Sequence, residues 1–133
     1  MADARVDMLL QIPLFSRLSA RQVRKILKGA TEDSYDKGVV IVKERGPGNA
    51  LFVIIEGTAT VEHQGRVVAR RSEGDFFGEI SVIDGRPRTA TVTADTAMRC
   101  LVLYQGELKR IVMGEPEAAW AMLLSMAARI RDL

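Results

Sequence analysis

The stretch Gly74-Asp75-Phe76-Phe77-Gly78-Glu79-Ile80-Ser81-Val82-Ile83-Asp84-Gly85-Arg86-Pro87-Arg88-Thr89-Ala90-Thr91-Val92 interrupts two strand-like runs with a segment built for another purpose. Its glycines let a backbone approach a partner closely, and Glu79-Ile80-Ser81-Val82 is long enough for one helical turn whose amides point at an anion. Pro87 fixes the approach of Arg88, whose guanidinium can fork onto two phosphate oxygens where a lysine would fit poorly. Glu79 is the odd member, because a carboxylate beside an anion is repelled unless it has a donor to receive. A sugar hydroxyl is such a donor.

The flanks of this segment read as strands. Val39 to Val42, Leu51 to Ile55, Thr58 to Val61, Val67 to Ala69, Thr89 to Ala94 and Met98 to Leu103 are short apolar runs. They are separated by Gly38, Gly46-Pro47-Gly48-Asn49, Glu56-Gly57, Gln64-Gly65 and Glu73-Gly74-Asp75, all tolerant of turn geometry. The expected fold is mainly β with flanking helices: an antiparallel β jelly roll with an N-terminal helix and C-terminal lid helices. Ahead of the strands, Ser19 and Gln22 form a capping box with Leu18 and Val23 as its hydrophobic staple, and Val23, Ile26, Leu27 and Ala30 continue at helical spacing. Behind them, Leu108, Ile111 and Val112 restore the helical period. Pro116 then suits the first position of a further helix bearing Trp120, Leu123, Leu124 and Ala127. Trp120 and the methionines Met113, Met122 and Met126 serve core or interface packing, or cover a ligand. The 133 residues are expected to form one domain, with a helical lead over 1–34, a jelly roll over 35–104 and C-terminal helices over 105–133.

Composition narrows the class. A hydrophobic share of 47% against 27% charged residues is that of a globular chain, so disorder is excluded. A net charge of +2, with the basic residues dispersed, gives no case for nucleic acid, and Arg70-Arg71 and Arg129/Arg131 read as solvated surface. One cysteine, Cys100, cannot close an internal disulfide and suits a reducing compartment. The amino terminus lacks the order of a signal peptide and no apolar run reaches the length of a membrane span, so the cytoplasm is the expected location, with no membrane partner. A single histidine, His63, leaves no metal site of the cupin type and no Ser-His-carboxylate set, so no catalytic residue and no cofactor are expected. His63 itself reads as an exposed turn residue.

In order, the segment resembles the phosphate-binding cassette of cyclic nucleotide-binding domains of the catabolite activator and protein kinase A regulatory type. That pattern is Phe-Gly-Glu-apolar-small, a variable stretch, then Pro-Arg-small-Ala-x-Val. It stands here as Phe77-Gly78-Glu79-Ile80-Ser81 and Pro87-Arg88-Thr89-Ala90-Thr91-Val92. The likeness extends over nearly the whole chain. It implies a non-catalytic sensor whose ligand is cAMP or cGMP, with cAMP favoured. Glu79 then accepts the ribose 2′-hydroxyl, Gly78 admits the sugar, and Arg88 binds the phosphate. The amides of Ile80, Ser81 and Ala90 and the amide and hydroxyl of Thr89 assist. The base meets an apolar wall including Val68 and Ala69, and the helix from Pro116 closes over it, with Met126, Arg129 and Ile130 as candidate contacts. Where many relatives place an aspartate that pairs with the arginine, this chain has Asn49, either a neutral partner for Arg88 or a plain turn residue. The chain is expected to be a free-standing sensor or one cut from a longer regulator, kinase, transporter, channel or acetyltransferase. A degenerate interaction scaffold is the further alternative. An effector protein or fused effector domain is the expected partner, and a homodimer is open.

Overall fold

The capping box forms as read: the Ser19 amide donates to Gln22 Oε1 at 2.7 Å and the Gln22 amide donates to Ser19 Oγ at 3.2 Å. It opens the second helix of a computed structural model that describes residues 4–133. Two compact units are present: one runs to Gly29 and resumes at Gly106–Leu133, and the other is Ala30–Gln105.

The first unit is helical. It holds α1 (Ala4–Leu10), α2 (Ala20–Gly29), most of α4 (Gln105–Gly114) and α5 (Pro116–Arg131). Val23 and Ile26 are buried on α2, Leu108 and Ile111 on α4, and Ala118, Ala121 and Met122 on α5, each set spaced for one helical face. Pro116 takes the first position of α5, where its missing N–H costs nothing. The Gln22 amide nitrogen donates to Glu115, which joins the start of α2 to the residue before α5. Trp120, Leu123 and Ile130 are exposed while Met122 is buried, so packing claims only one of these side chains.

The second unit is the jelly roll. Its strands are β1 (Thr31–Tyr35), β2 (Val40–Val42), β3 (Ala50–Glu56), β4 (Ala59–His63), β5 (Arg66–Arg71), β6 (Phe76–Phe77), β7 (Thr91–Ala94) and β8 (Met98–Tyr104), with the short helix α3 (Glu79–Asp84) between β6 and β7. They form two four-stranded sheets in the orders β1-β8-β3-β6 and β2-β7-β4-β5, with antiparallel pairing throughout. Ala50, Phe52, Ile54, Met98, Cys100 and Val102 of the first sheet meet Val42, Ala59, Val92 and Ala94 of the second in one buried cluster. These positions alternate along their strands as a two-residue side-chain period requires. Full burial of each large aliphatic side chain in such a layer contributes about 1.5–3 kcal/mol.

Most strand boundaries differ from the sequence reading by one or two residues, and two of the differences have a physical cause. The sheet begins at Thr31, inside the stretch 1–34 expected to be a helical lead. Thr31-Glu32-Asp33-Ser34-Tyr35 has no apolar alternation, because β1 is an edge strand with only Asp33 and Tyr35 half-buried. Its conformation is set by the ladder to β8, from Thr31 opposite Val102 to Tyr35 opposite Met98. The strand expected from Thr89 begins at Thr91, since Arg88 and the two residues after it are used by the loop that holds the arginine. The C-terminal helices begin at Gln105.

Candidate functional site

Phe76 and Phe77 end β6 opposite Val53 and Phe52, and the chain then turns at Gly78 with φ 86° and ψ 10°. Left-handed backbone of this kind favours glycine, and here space demands it as well. A Cβ on Gly78 would lie 2.7 Å from Arg88 Nη1 and 2.8 Å from the Ala50 carbonyl oxygen. The turn starts α3, which packs on β3 and ends at Gly85, whose amide donates to the Ser81 carbonyl. Ser81 and Val82 face inward, Glu79 is half-buried and Ile80 is exposed.

Arg88 sits at the centre of the arrangement and is 6% exposed. Its backbone is clamped to the turn before β3, since the Arg88 amide donates to the Gly46 carbonyl and the Arg45 amide to the Arg88 carbonyl, both at 2.8 Å. Nη1 donates to the Gly78 carbonyl at 3.2 Å and Nη2 to the Ala50 carbonyl at 3.1 Å. The guanidinium carbon stands 5.7 Å from the centre of the Phe52 ring, which stacks on Phe77 at 4.9 Å. Nε is buried with no hydrogen-bond partner. Burial lowers the arginine's pKa, and the nearby charge of Glu79 opposes that shift. A buried guanidinium whose hydrogen bonds go to two neutral carbonyls carries a large desolvation cost, which the nearby Glu79 charge offsets in part and an anion bound directly would offset further.

The other expected residues fall in several places. Glu79 shares the electrostatic field of Arg88, and Ile80 and Ser81 follow it in the first turn of α3. Thr89 is exposed and Ala90 half-buried, directly after the arginine. Val68 is exposed and Ala69 half-buried on β5, at the outer edge of the second sheet. Met126, Arg129 and Ile130 lie on α5 in the helical unit. Asn49 is exposed in the turn before β3. The acceptors of Arg88 are the carbonyls of Ala50 and Gly78, and the Asn49 carbonyl accepts from the Gln105 amide. Among the described residues no cluster of three His, Cys, Asp or Glu is placed to hold a metal ion, and no helix is long and apolar enough to cross a membrane.

Two residues enter the site without having been singled out for it. Gly48 has its α-carbon against the guanidinium of Arg88, and its only sequence signal is the run Gly46-Pro47-Gly48-Asn49. His63, at the tip of the β4–β5 hairpin, places Nδ1 2.8 Å from the Thr89 carbonyl oxygen and 3.5 Å from Glu44 Oε1. A carbonyl only accepts, so Nδ1 carries the proton. The ring is exposed, as expected, but it tethers the residue that follows the arginine.

A family model described as a cyclic nucleotide-binding domain matches residues 32–115. The chain is 34% identical over 113 residues to a cAMP-dependent protein kinase regulatory subunit from Mycosarcoma maydis, covering 78% of this chain and 22% of that protein. It is 32% identical over 108 residues to a cyclic nucleotide-gated potassium channel from Mesorhizobium japonicum, covering 81% and 30% respectively. The chain thus spans under a third of the length of each. Among solved structures, the catabolite activator protein of Thermus thermophilus superposes with a TM-score of 0.82 at 26% identity, over 90% of this chain and 59% of that one.

Proposed function

Because the chain belongs to the cyclic nucleotide-binding domain family, we propose that residues 1–133 act as one non-catalytic sensor domain that binds cAMP in preference to cGMP. The observation that carries this reading is the buried Arg88, whose guanidinium donates to backbone carbonyls, lies over a ring face and has no acceptor at Nε. A cyclic phosphate supplies the missing anion. Glu79, at the start of α3, accepts the 2′-hydroxyl, the only ribose hydroxyl left free in a 3′,5′-cyclic nucleotide. The amides of Ile80, Ser81, Thr89 and Ala90 complete the phosphate cradle, Gly78 leaves room for the sugar, and Val68 and Ala69 meet the base.

Binding moves Arg88 off the carbonyls of Gly78 and Ala50, so the ligand is coupled to the backbone at both ends of the cassette. The output is a change in α5, through Met126, Arg129 or Ile130. A ligand shifts such an equilibrium only by its differential affinity for the two arrangements, so α5 must touch the nucleotide or what the nucleotide moves. With Asn49 in place of an acid, the arginine has no charged partner at that position, and signal passes through the carbonyls instead. The domain works in the cytoplasm. The small share of its relatives that it spans favours the sensor portion of a larger cyclic-nucleotide-regulated protein, with a fused or separate effector.

Calorimetric titration with cAMP, cGMP and linear AMP tests this. Saturable binding of both cyclic nucleotides, tighter for cAMP and far weaker for AMP, is expected. Absence of binding by either cyclic nucleotide at millimolar concentration, in protein stripped of carried-over ligand, refutes the sensor.

A further inference from the structure

A cavity of about 310 Å³ opens in the jelly-roll unit beside the edge strands β1 and β2. Its walls include Asp33 and Tyr35 of β1, Lys43 just after β2, Phe52 of β3, Tyr104 of β8 and the side chain of Arg88. Of the cassette residues Gly78 to Ser81 and Arg88 to Ala90, only Arg88 lines it. Phe52 and Arg88 are buried, while Lys43 and Tyr104 are exposed, so the aromatic ring and guanidinium form the floor and the ammonium and one phenol the mouth.

We propose that this cavity is a second binding site, for a compact hydroxy acid, and that Arg88 is shared between it and the cassette; the sharing rests on the cyclic nucleotide reading above. The walls carry two cations, Arg88 and Lys43, and one carboxylate, Asp33, which suits a monoanion. Two of the five N–H donors of Arg88 are engaged by carbonyls and Nε has no acceptor, so the guanidinium has capacity for a carboxylate. Among the described residues the Asp33 carboxylate accepts only a long contact of 3.4 Å from the Tyr35 hydroxyl, and it repels any anion that brings no donor. A hydroxyl on the acid satisfies it, whereas an ammonium would face two cations. The volume is at the lower end for small-molecule sites, about 300–1,000 Å³, and the three aromatic rings leave space for few atoms.

The sharing has a direct consequence. An acid on the guanidinium holds Arg88 over Phe52, and a cyclic phosphate draws it toward α3, so each ligand weakens the other by the same factor.

L-lactate is the probe, with propionate as the analogue that lacks the hydroxyl, titrated into the full chain without nucleotide and followed by backbone amide resonances. Lactate is expected to shift Tyr35, Lys43 and Tyr104 saturably and to bind about tenfold tighter than propionate, the effect of one hydrogen bond to a charged group. Asp33→Ala is expected to abolish that preference, and Lys43→Ala, at the exposed mouth, to weaken both acids. Shifts that do not saturate, shifts confined to Gly78–Ser81 and Thr89–Ala90, or equal affinity for the two acids overturn the site. With lactate bound, an unchanged affinity for cAMP overturns the sharing of Arg88. Failure of cAMP to bind at all refutes the sensor instead, and the lactate titration is read without it.

Discussion

Gly48 is the residue that lets Arg88 lie where it does: a Cβ built on Gly48 would stand 2.3 Å from Nε, 2.6 Å from Cδ and 2.7 Å from Cζ of the arginine. These atoms are the buried middle of the side chain and cannot swing away without breaking the bonds to Gly78 and Ala50. Gly48→Ala is expected to destabilise the fold by about 1–3 kcal/mol, the usual cost of overpacking. It is also expected to weaken cAMP by displacing Arg88. A thermal melt and a cAMP titration on the same variant check both, and an unchanged melting temperature refutes the close packing.

Arg88→Ala is expected to cost more affinity than Glu79→Ala. Each hydrogen bond to a charged group contributes about 1.5–3 kcal/mol, and the guanidinium is expected to fork onto two phosphate oxygens where the carboxylate receives one hydroxyl. Glu79 is expected to accept that single bond, and its charge also stabilises Arg88 electrostatically. Calorimetry on both variants gives the order, with circular dichroism confirming that each is folded.

His63→Ala removes the tether to the Thr89 carbonyl. Since the bond is exposed, its loss is expected to weaken cyclic nucleotide binding only about two- to fivefold, near the low end for a neutral hydrogen bond. His63→Asn places an amide N–H near the former Nδ1 and should restore the affinity. If both variants match the native chain, the hairpin tip has no part in placing the cassette.

Thr89 is the one residue beside Arg88 with a hydroxyl able to accept from the 2-amino group of guanine, a group adenine lacks. Thr89→Ala is expected to weaken cGMP up to about tenfold more than cAMP, the most that one neutral hydrogen bond supplies. Parallel titrations of native and variant chains decide it. Equal losses remove Thr89 as a reader of the base.

Cys100 titrates on the alkaline side. Burial, and after it the charge of Asp33, pushes its thiol up from 9.0 to about 12. The folded state therefore holds this proton more tightly than the unfolded chain does. Its stabilising effect is complete below about pH 9 and is lost as pH rises toward 12. Stability is expected to fall by about 1.4 kcal/mol per pH unit across that window from this group alone. Denaturant melts at increasing pH measure the slope, and Cys100→Ala should make it shallower, Tyr35 contributing its own loss from pH 10 upward.

The cassette and the core strands were legible in the sequence because each depends on neighbouring residues: the Ser19–Gln22 box on a spacing of three, β3 on an unbroken apolar run. What escaped was set by partners distant in sequence. β1 is polar along its length and becomes a strand only against β8. β6 is two residues long and is fixed by Phe52 and Val53. Arg88 stood out in the sequence as a candidate anion ligand, but its hydrogen-bond partners are backbone carbonyls, which have no sequence signature. The His63–Thr89 bond joins residues 26 apart through an exposed ring, so no periodicity marks it.

The outer strand of the second sheet, β5, leaves Val67 and Val68 exposed on an edge whose backbone is available for pairing. Such an edge invites strand addition between molecules, the first step toward insoluble aggregates. Arg66, Arg70 and Arg71 flank the two valines on the same strand. Stacking a second copy in register would bring like charges together, so the arginines act as gatekeepers of colloidal behaviour. Neutralising Arg66 and Arg71 would make the chain prone to precipitate at concentrations the native sequence tolerates, whereas Arg70 also donates to Thr60 Oγ1 and pairs with Asp95.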